Sequence, residues 1–203
     1  MRIIKSETIT ETIKELCIKG ACHLPTDVYN RLLEAISTED SPVSKHTLEI
    51  LKENADIAAK NQEPICQDTG MACIFVEIGQ EVYVEGNLTE AINEGVRQGY
   101  TEGYLRKSVV DDPVFDRINT KDNTPAIIHY DIVPGDKLKI TVAPKGFGSE
   151  NMCQVKMLKP SDGIEGVKDF ILKVVEDAGP NPCPPMVVGV GIGGTFDKCA
   201  LLA

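Results

Sequence analysis

No apolar run in this 203-residue chain is long enough to cross a bilayer, and its N-terminus lacks the apolar core of a secretory signal. Positive charge is scarce: 21 Lys and Arg against 31 Asp and Glu leave a net charge of −10. That balance argues against nucleic acid or an acidic membrane surface, since affinity for either comes from basic patches. An anionic substrate would need cationic groups gathered locally. The seven cysteines include no CxxC pair, so neither a zinc ribbon nor a thioredoxin-type motif can be built. Their odd number, with no export signal, disfavours a disulfide framework and favours reduced thiols or metal ligation. The three histidines, His23, His46 and His129, lie in segments without motif character, which gives a Cys–His hydrolase little support. Low-complexity tracts and internal repeats are absent. The expectation is a cytoplasmic chain with no membrane or nucleic-acid partner.

What is present is a globular composition, 42% hydrophobic and 26% charged, read as a single domain over residues 1–203. Ile13, Leu16 and Cys17 mark a helix over Thr10–Gly20, and Val28, Leu32, Leu33 and Ile36 mark another that Thr26 can cap. Ser41-Pro42 signals the start of a third, running to Lys60. Ala72–Ile78 reads as a buried strand and Glu81–Glu85 as its shorter partner. Asn87–Arg106 is helical, and Gly95, Gly99 and Gly103 leave one side of it smooth for close packing. Val109–Thr124 looks irregular. Ala126–Val133 and Lys137–Ala143, joined by Pro134-Gly135-Asp136, predict an antiparallel hairpin. A helix begins at Ser161 or Asp162 and ends near Gly179; Met186–Ile192 predicts a further buried strand before an apolar tail. Helices early and strands later give an α+β fold, with helices around a small, largely antiparallel or mixed sheet.

Three stretches carry chemistry. Pro64-Ile65-Cys66-Gln67-Asp68-Thr69-Gly70 sets a thiol, an amide, a carboxylate and a hydroxyl on one helix-to-strand loop, where functional groups concentrate. Lys145-Gly146-Phe147-Gly148-Ser149-Glu150-Asn151 is either a strand-end turn or a set of exposed N–H groups able to receive an anion. Pro182-Cys183-Pro184-Pro185 holds a cysteine on stiff backbone, which suits a metal ligand because less entropy is lost on binding. Iron–sulfur clusters draw thiolates from well-separated loops, and Cys66 and Cys183 supply two rigid ones. Cys17, Cys22, Cys73, Cys153 and Cys199 read as core thiols. Gly189, Gly191 and Gly194 satisfy G-x-G-x-x-G, but the chain ends nine residues after Gly194, too soon for the helix, strand and acid that pattern needs.

Ala55-Asp56-Ile57-Ala58-Ala59-Lys60, Cys66-Gln67-Asp68-Thr69-Gly70, Lys145–Asn151, Cys183-Pro184-Pro185 and Gly193-Gly194-Thr195 occur together and in order. The set resembles the N-terminal portion of the class I (iron–sulfur) fumarate hydratases and the L-tartrate dehydratase alpha subunits. The resemblance implies a [4Fe–4S] cluster with Cys66 and Cys183 as two of its three ligands, the third cysteine lying outside this chain. It implies Asp68 as the acid–base residue and Gln67, Arg106 and Gly148 as substrate contacts, with Lys145 a weaker basic candidate. The expected activity is hydration or dehydration of a small dicarboxylate. The expected assembly is a homo- or hetero-oligomer that includes a beta-type subunit or a C-terminal domain. The alternative, from a different class, is a non-catalytic scaffold or a nucleotide-binding half of an oxidoreductase.

Overall fold

The computed structural model describes residues 1–203 and divides the chain into two compact units, Met1–Lys145 and Gly146–Ala203. The α+β expectation holds. In the first unit, β1 (Arg2–Lys5) leads into α1 (Ser6–Cys22), α2 (Thr26–Thr38) and α3 (Pro42–Asn61). Next come β2 (Met71–Gly79), β3 (Val82–Glu85), α4 (Leu88–Glu102), β4 (Ile127–Val133) and β5 (Leu138–Lys145). Local chemistry sets the helix starts: the Ser41 side chain accepts from the Ser44 N–H with Pro42 at the first helical position, and Asn87 accepts from the Glu90 N–H.

The core is where α1 lies on α4. Ile9, Ile13 and Cys17 recur every four residues on α1 and meet Ile92, Val96 and Tyr100 of α4, all buried. A Cβ at Gly95 would stand 2.7 Å from the Thr10 carbonyl oxygen and 2.8 Å from the Ile13 Cβ, so only glycine admits this approach. The smooth helix side predicted from the glycine spacing is therefore real. Burial pushes the Cys17 thiol up to about 12, so it packs as a small hydrophobe.

The three-stranded sheet runs β4-β2-β5, with β2 parallel to β4 and antiparallel to β5. The predicted hairpin does not form, because β2 lies between its two arms. The reason is visible at the turn: the Val133, Gly135 and Lys137 carbonyls accept the Gln80, Glu81 and Gly79 N–H groups. The link thus wraps the end of β2 instead of closing tightly, and the more buried strand, β2, takes the centre. Nor does β3 partner β2; it pairs in parallel with β1, Ile4 opposite Val84, as a separate two-stranded sheet.

The second unit holds the short turn α5 (Phe147–Glu150), a 3₁₀ turn at Pro160–Asp162, α6 (Gly163–Ala178) and α7 (Phe196–Leu202). Val167, Phe170, Ile171 and Val174 of α6 line one side of an apolar cavity of about 520 Å³. Met186–Ile192, predicted as a strand, has no ladder, and Val187 is 77% exposed. β-propensity reports fitness for a pleated, packed surface, and no strand of this unit offers the pairing it requires. The glycine pattern here serves packing: a Cβ at Gly189 or Gly191 would stand 1.9 Å from the Ala203 or Cys199 carbonyl oxygen. The apolar tail after Thr195 is the helix α7.

Candidate functional site

The Cys66 loop is fixed at both ends by bonds that leave its middle open. At its start, the Ile65 N–H donates to the Ala21 carbonyl (2.9 Å) and the Ile65 carbonyl accepts from Asn54 Nδ2 (2.9 Å). At its far end, buried Thr69 joins the backbone of Arg106 twice, its Oγ1 accepting from the N–H (2.9 Å) and donating to the carbonyl (3.2 Å). The Tyr100 hydroxyl donates to the Thr69 and Gly70 carbonyls (3.0 and 3.2 Å), and Asn123 Nδ2 donates to that of Gly70 (3.1 Å). Between these anchors Cys66 and Gln67 are exposed and Asp68 is half-buried. Asp68 Oδ1 accepts from the Gly70 N–H (3.1 Å), an Asx turn that orients its carboxylate.

Arg106 is thereby tied to the loop through its backbone while its side chain stays exposed. Sequence spacing alone could not establish that link. Burial pushes the Tyr100 phenol well above its usual value, with the charges of Cys17 and Asp68 acting the same way and an Asn123 contact opposing them. The phenol therefore remains a hydrogen-bond donor at any ordinary pH.

Asn123 and Tyr100 are the loop-anchoring residues the sequence reading missed. Asn123 lies in a stretch read as irregular, fully buried at φ 63°, in the left-handed region that asparagine tolerates better than most residues. Its neighbours hold it there. Asp122 accepts from Arg97 Nε (3.0 Å), the Thr124 N–H (3.0 Å) and the Thr124 hydroxyl (2.8 Å). Burial works against the Asp122 charge, but these bonds outweigh it and hold the carboxyl below the usual carboxylate range. Asn93 Oδ1 accepts from the Ala126 N–H (2.9 Å). Asn93, Arg97 and Tyr100 recur at helical spacing on α4, Arg97 and Asn93 holding Asp122 and Ala126 while Tyr100 holds the Thr69 and Gly70 carbonyls.

In the second unit, Gly148 and Cys183 come together. A Cβ at Gly148 would stand 2.6 Å from the Asn181 carbonyl oxygen and 4.0 Å from Cys183 Sγ, so only glycine lets the α5 turn lie on the cysteine loop. The N–H groups of Glu150, Asn151, Met152 and Cys153 bond to carbonyls within this turn. That of Gly148 belongs to the first turn, outside the helical ladder. Cys183 is exposed at φ 29°, between Pro182 and Pro184. A residue preceding proline is driven toward extended backbone, so this geometry carries strain of about 1–3 kcal/mol. Asn181 Nδ2 meets Met152 Sδ at 3.5 Å and adds a second tie between the two segments.

Cys153, read as a core thiol, is exposed and so fills no core; Cys17, Cys22 and Cys73 are buried as expected, and Cys199 is partly so. The histidines have structural neighbours: His23 with Gln62 (3.1 Å), His46 with Glu49 (4.0 Å), and His129 stacked on Phe75. No group of three or more His, Cys, Asp or Glu side chains converges to hold a metal ion. A cavity of about 570 Å³ between α1 and α4 is lined by Glu7, Glu11, Glu90 and Glu94 against one cation, Arg97, a net sign that disfavours an anionic substrate. Neither cavity is lined by Cys66 or Cys183.

The model of the family described as fumarate hydratase (Fumerase) matches residues 10–203. Over 200 residues the chain is 44% identical to a candidate L(+)-tartrate dehydratase subunit alpha of Methanocaldococcus jannaschii, covering 96% of this chain and 70% of that one. It is 31% identical over 199 residues to the L(+)-tartrate dehydratase subunit alpha of Escherichia coli strain UTI89, covering 96% of this chain and 65% of that one. The counterpart in Escherichia coli strain K12 is 30% identical over the same span.

Proposed function

The chain belongs to the fumarate hydratase family, and on that premise we propose that it works in a hydro-lyase that adds water to, or removes it from, a small dicarboxylate of the fumarate, malate or tartrate type. One observation carries the reading: a thiol, an amide and a carboxylate stand on a loop anchored at both ends and tied to the backbone of an exposed arginine. That is how a site is preorganised, with reactive groups between fixed points.

The donor chemistry fits an iron–sulfur cluster in part. Cys66 and Cys183 are exposed thiols on constrained loops, and each would give one ligand to a [4Fe–4S] cluster whose third cysteine comes from outside residues 1–203. Such a cluster, when bound, supplies a Lewis acid toward substrate oxygen. The remaining work falls to the chain's own groups. Arg106 binds a substrate carboxylate by a charge-assisted bond, supplying a cation in a chain of net charge −10. Gln67 donates its amide hydrogens to substrate oxygen, and the Gly148 N–H does the same from the α5 turn. Asp68, oriented by the Gly70 N–H, holds or moves the proton at the carbon adjacent to the one that bears the departing hydroxyl. Residues 1–203 serve in this reading as one alpha-type portion. It acts in the cytoplasm, in an oligomer completed by a beta-type subunit or a C-terminal domain. No helix is long and apolar enough to cross a membrane.

The test is anaerobic co-production with the polypeptide that completes the site, followed by iron analysis and a hydratase assay on fumarate and tartrate. The expected product is an oxygen-sensitive, iron-containing complex that loses iron on Cys66→Ala and keeps iron but loses turnover on Asp68→Asn. A colourless, iron-free complex, or full activity in Cys66→Ala, would overturn the reading.

A further inference from the structure

We propose that Asn123 is a positioning residue, whose one buried amide fixes the register between the Cys66–Asp68 loop and the segment that carries Arg106. Its carbonyl end accepts from the Ser108 and Val109 N–H groups (2.8 and 3.2 Å), two and three residues beyond Arg106. Its amino end donates to the Gly70 carbonyl (3.1 Å), two residues beyond Asp68. The amide therefore bridges the two strips of chain whose spacing sets where a substrate held by Arg106 meets Asp68. The Ser108 hydroxyl is buried without a partner, so it adds nothing to this hold. Thr69 links the strips at Arg106, and the Tyr100 hydroxyl holds the Thr69 and Gly70 carbonyls from α4, on the N-terminal side of Arg106. Asn123 ties Gly70 to the chain beyond Arg106, which neither of those residues does.

The residue is built for this and for little else. It is 0% exposed, so it meets neither solvent nor substrate. Its left-handed backbone is held by the Asp122 bonds to Arg97 and Thr124, which makes its geometry a product of α4 and not of the loop it supports. The effect on substrate rests on the hydro-lyase reading; the effect on the loop does not.

Asn123→Gly is the informative variant, because glycine accepts φ 63° without strain and only the amide is lost. The full chain, prepared without iron, is transferred to deuterated water, and labelling of the Arg106 N–H, whose hydrogen bond Thr69 Oγ1 accepts, is measured by NMR relative to amides of α6 in the other unit. Loss of the bridge should raise that labelling ratio at least about threefold, as local opening around Thr69 and Arg106 becomes easier. Leu32→Ala, a core change in α2, should lower stability without moving the ratio. An unchanged ratio in Asn123→Gly, or an equal rise in Leu32→Ala, overturns the proposal. If Asn123→Gly does not fold, Asn123→Asp keeps the oxygen that accepts from Ser108 and Val109 and deletes the donor to the Gly70 carbonyl, and an unmoved ratio there overturns it as well. In the iron-loaded complex, Asn123→Gly should lower kcat for the dicarboxylate about tenfold while KM changes less. A raised labelling ratio in a complex with no hydratase activity would uphold the positioning role and refute the hydro-lyase reading instead.

Discussion

Replacing Thr69 by valine changes almost no volume and deletes one hydroxyl. In the structure that hydroxyl makes two bonds to Arg106, accepting at 2.9 Å and donating at 3.2 Å, at a residue 6% exposed. Leaving a part-buried N–H unpaired costs about 1–3 kcal/mol, and losing the second bond adds about 1 kcal/mol. The expected loss is therefore about 2–4 kcal/mol. For a chain of this size each kcal/mol lowers the melting temperature by about 2–4 °C. Thr69→Ser keeps the hydroxyl and removes one methyl, at about 1 kcal/mol. The order of stability should be threonine, serine, valine, although valine better preserves packing. Thermal and urea unfolding of the three proteins decide it. If valine matched threonine while serine was the weaker, the hydroxyl would be a bystander and the anchored-loop account would be wrong.

Gly148→Ala puts a methyl 2.6 Å from the Asn181 carbonyl and should displace the Cys183 loop, lowering iron retained by the assembled enzyme at least severalfold while leaving the melting of the first unit unchanged. Gly95→Ala forces α1 and α4 apart and should cost about 1–3 kcal/mol in urea unfolding despite alanine's better helix propensity; a stabilised variant would contradict the packing described. The Asp122 carboxyl is depressed in the fold relative to its ordinary 3.8. Its contribution is thus fully present above that value and lost as pH falls through the lower folded value. Asp122→Asn should be less stable at neutral pH and show a shallower loss of stability below about pH 4; parallel curves for the two proteins would refute this.

What could be read from sequence was what is decided locally. Ser41 and Asn87 mark helix starts because a side-chain oxygen three residues from an orphan N–H is a local fact. The α1–α4 contact was half legible, since the glycine spacing announced a close neighbour without naming it. Sheet order was not legible. A turn such as Pro134-Gly135-Asp136 reports that the chain reverses, and says nothing of a third strand inserted between the arms. Met186–Ile192 has the residues of a strand but no hydrogen-bonding partner in its unit. In the candidate site, the Cys66–Asp68 loop stood out for its run of polar and reactive side chains, while the roles expected of those residues came from the family resemblance. Asn123 and Tyr100 did not stand out, because a buried amide and phenol matter only through backbone carbonyls distant along the chain.

The central place of β2 has a consequence for biosynthesis. Both of its ladders are completed by residues 127–145, so the strand leaves the ribosome more than fifty residues ahead of its first neighbour. At about 5–20 residues per second that is several seconds during which a strongly apolar ribbon has two open edges. The helices made on either side of it in time, α1 and α4, cover the face that carries Ala72, Ile74 and Val76 in that interval. Substitutions that loosen their contact should therefore show first as poor yield from cells, before any change in the finished protein is measured.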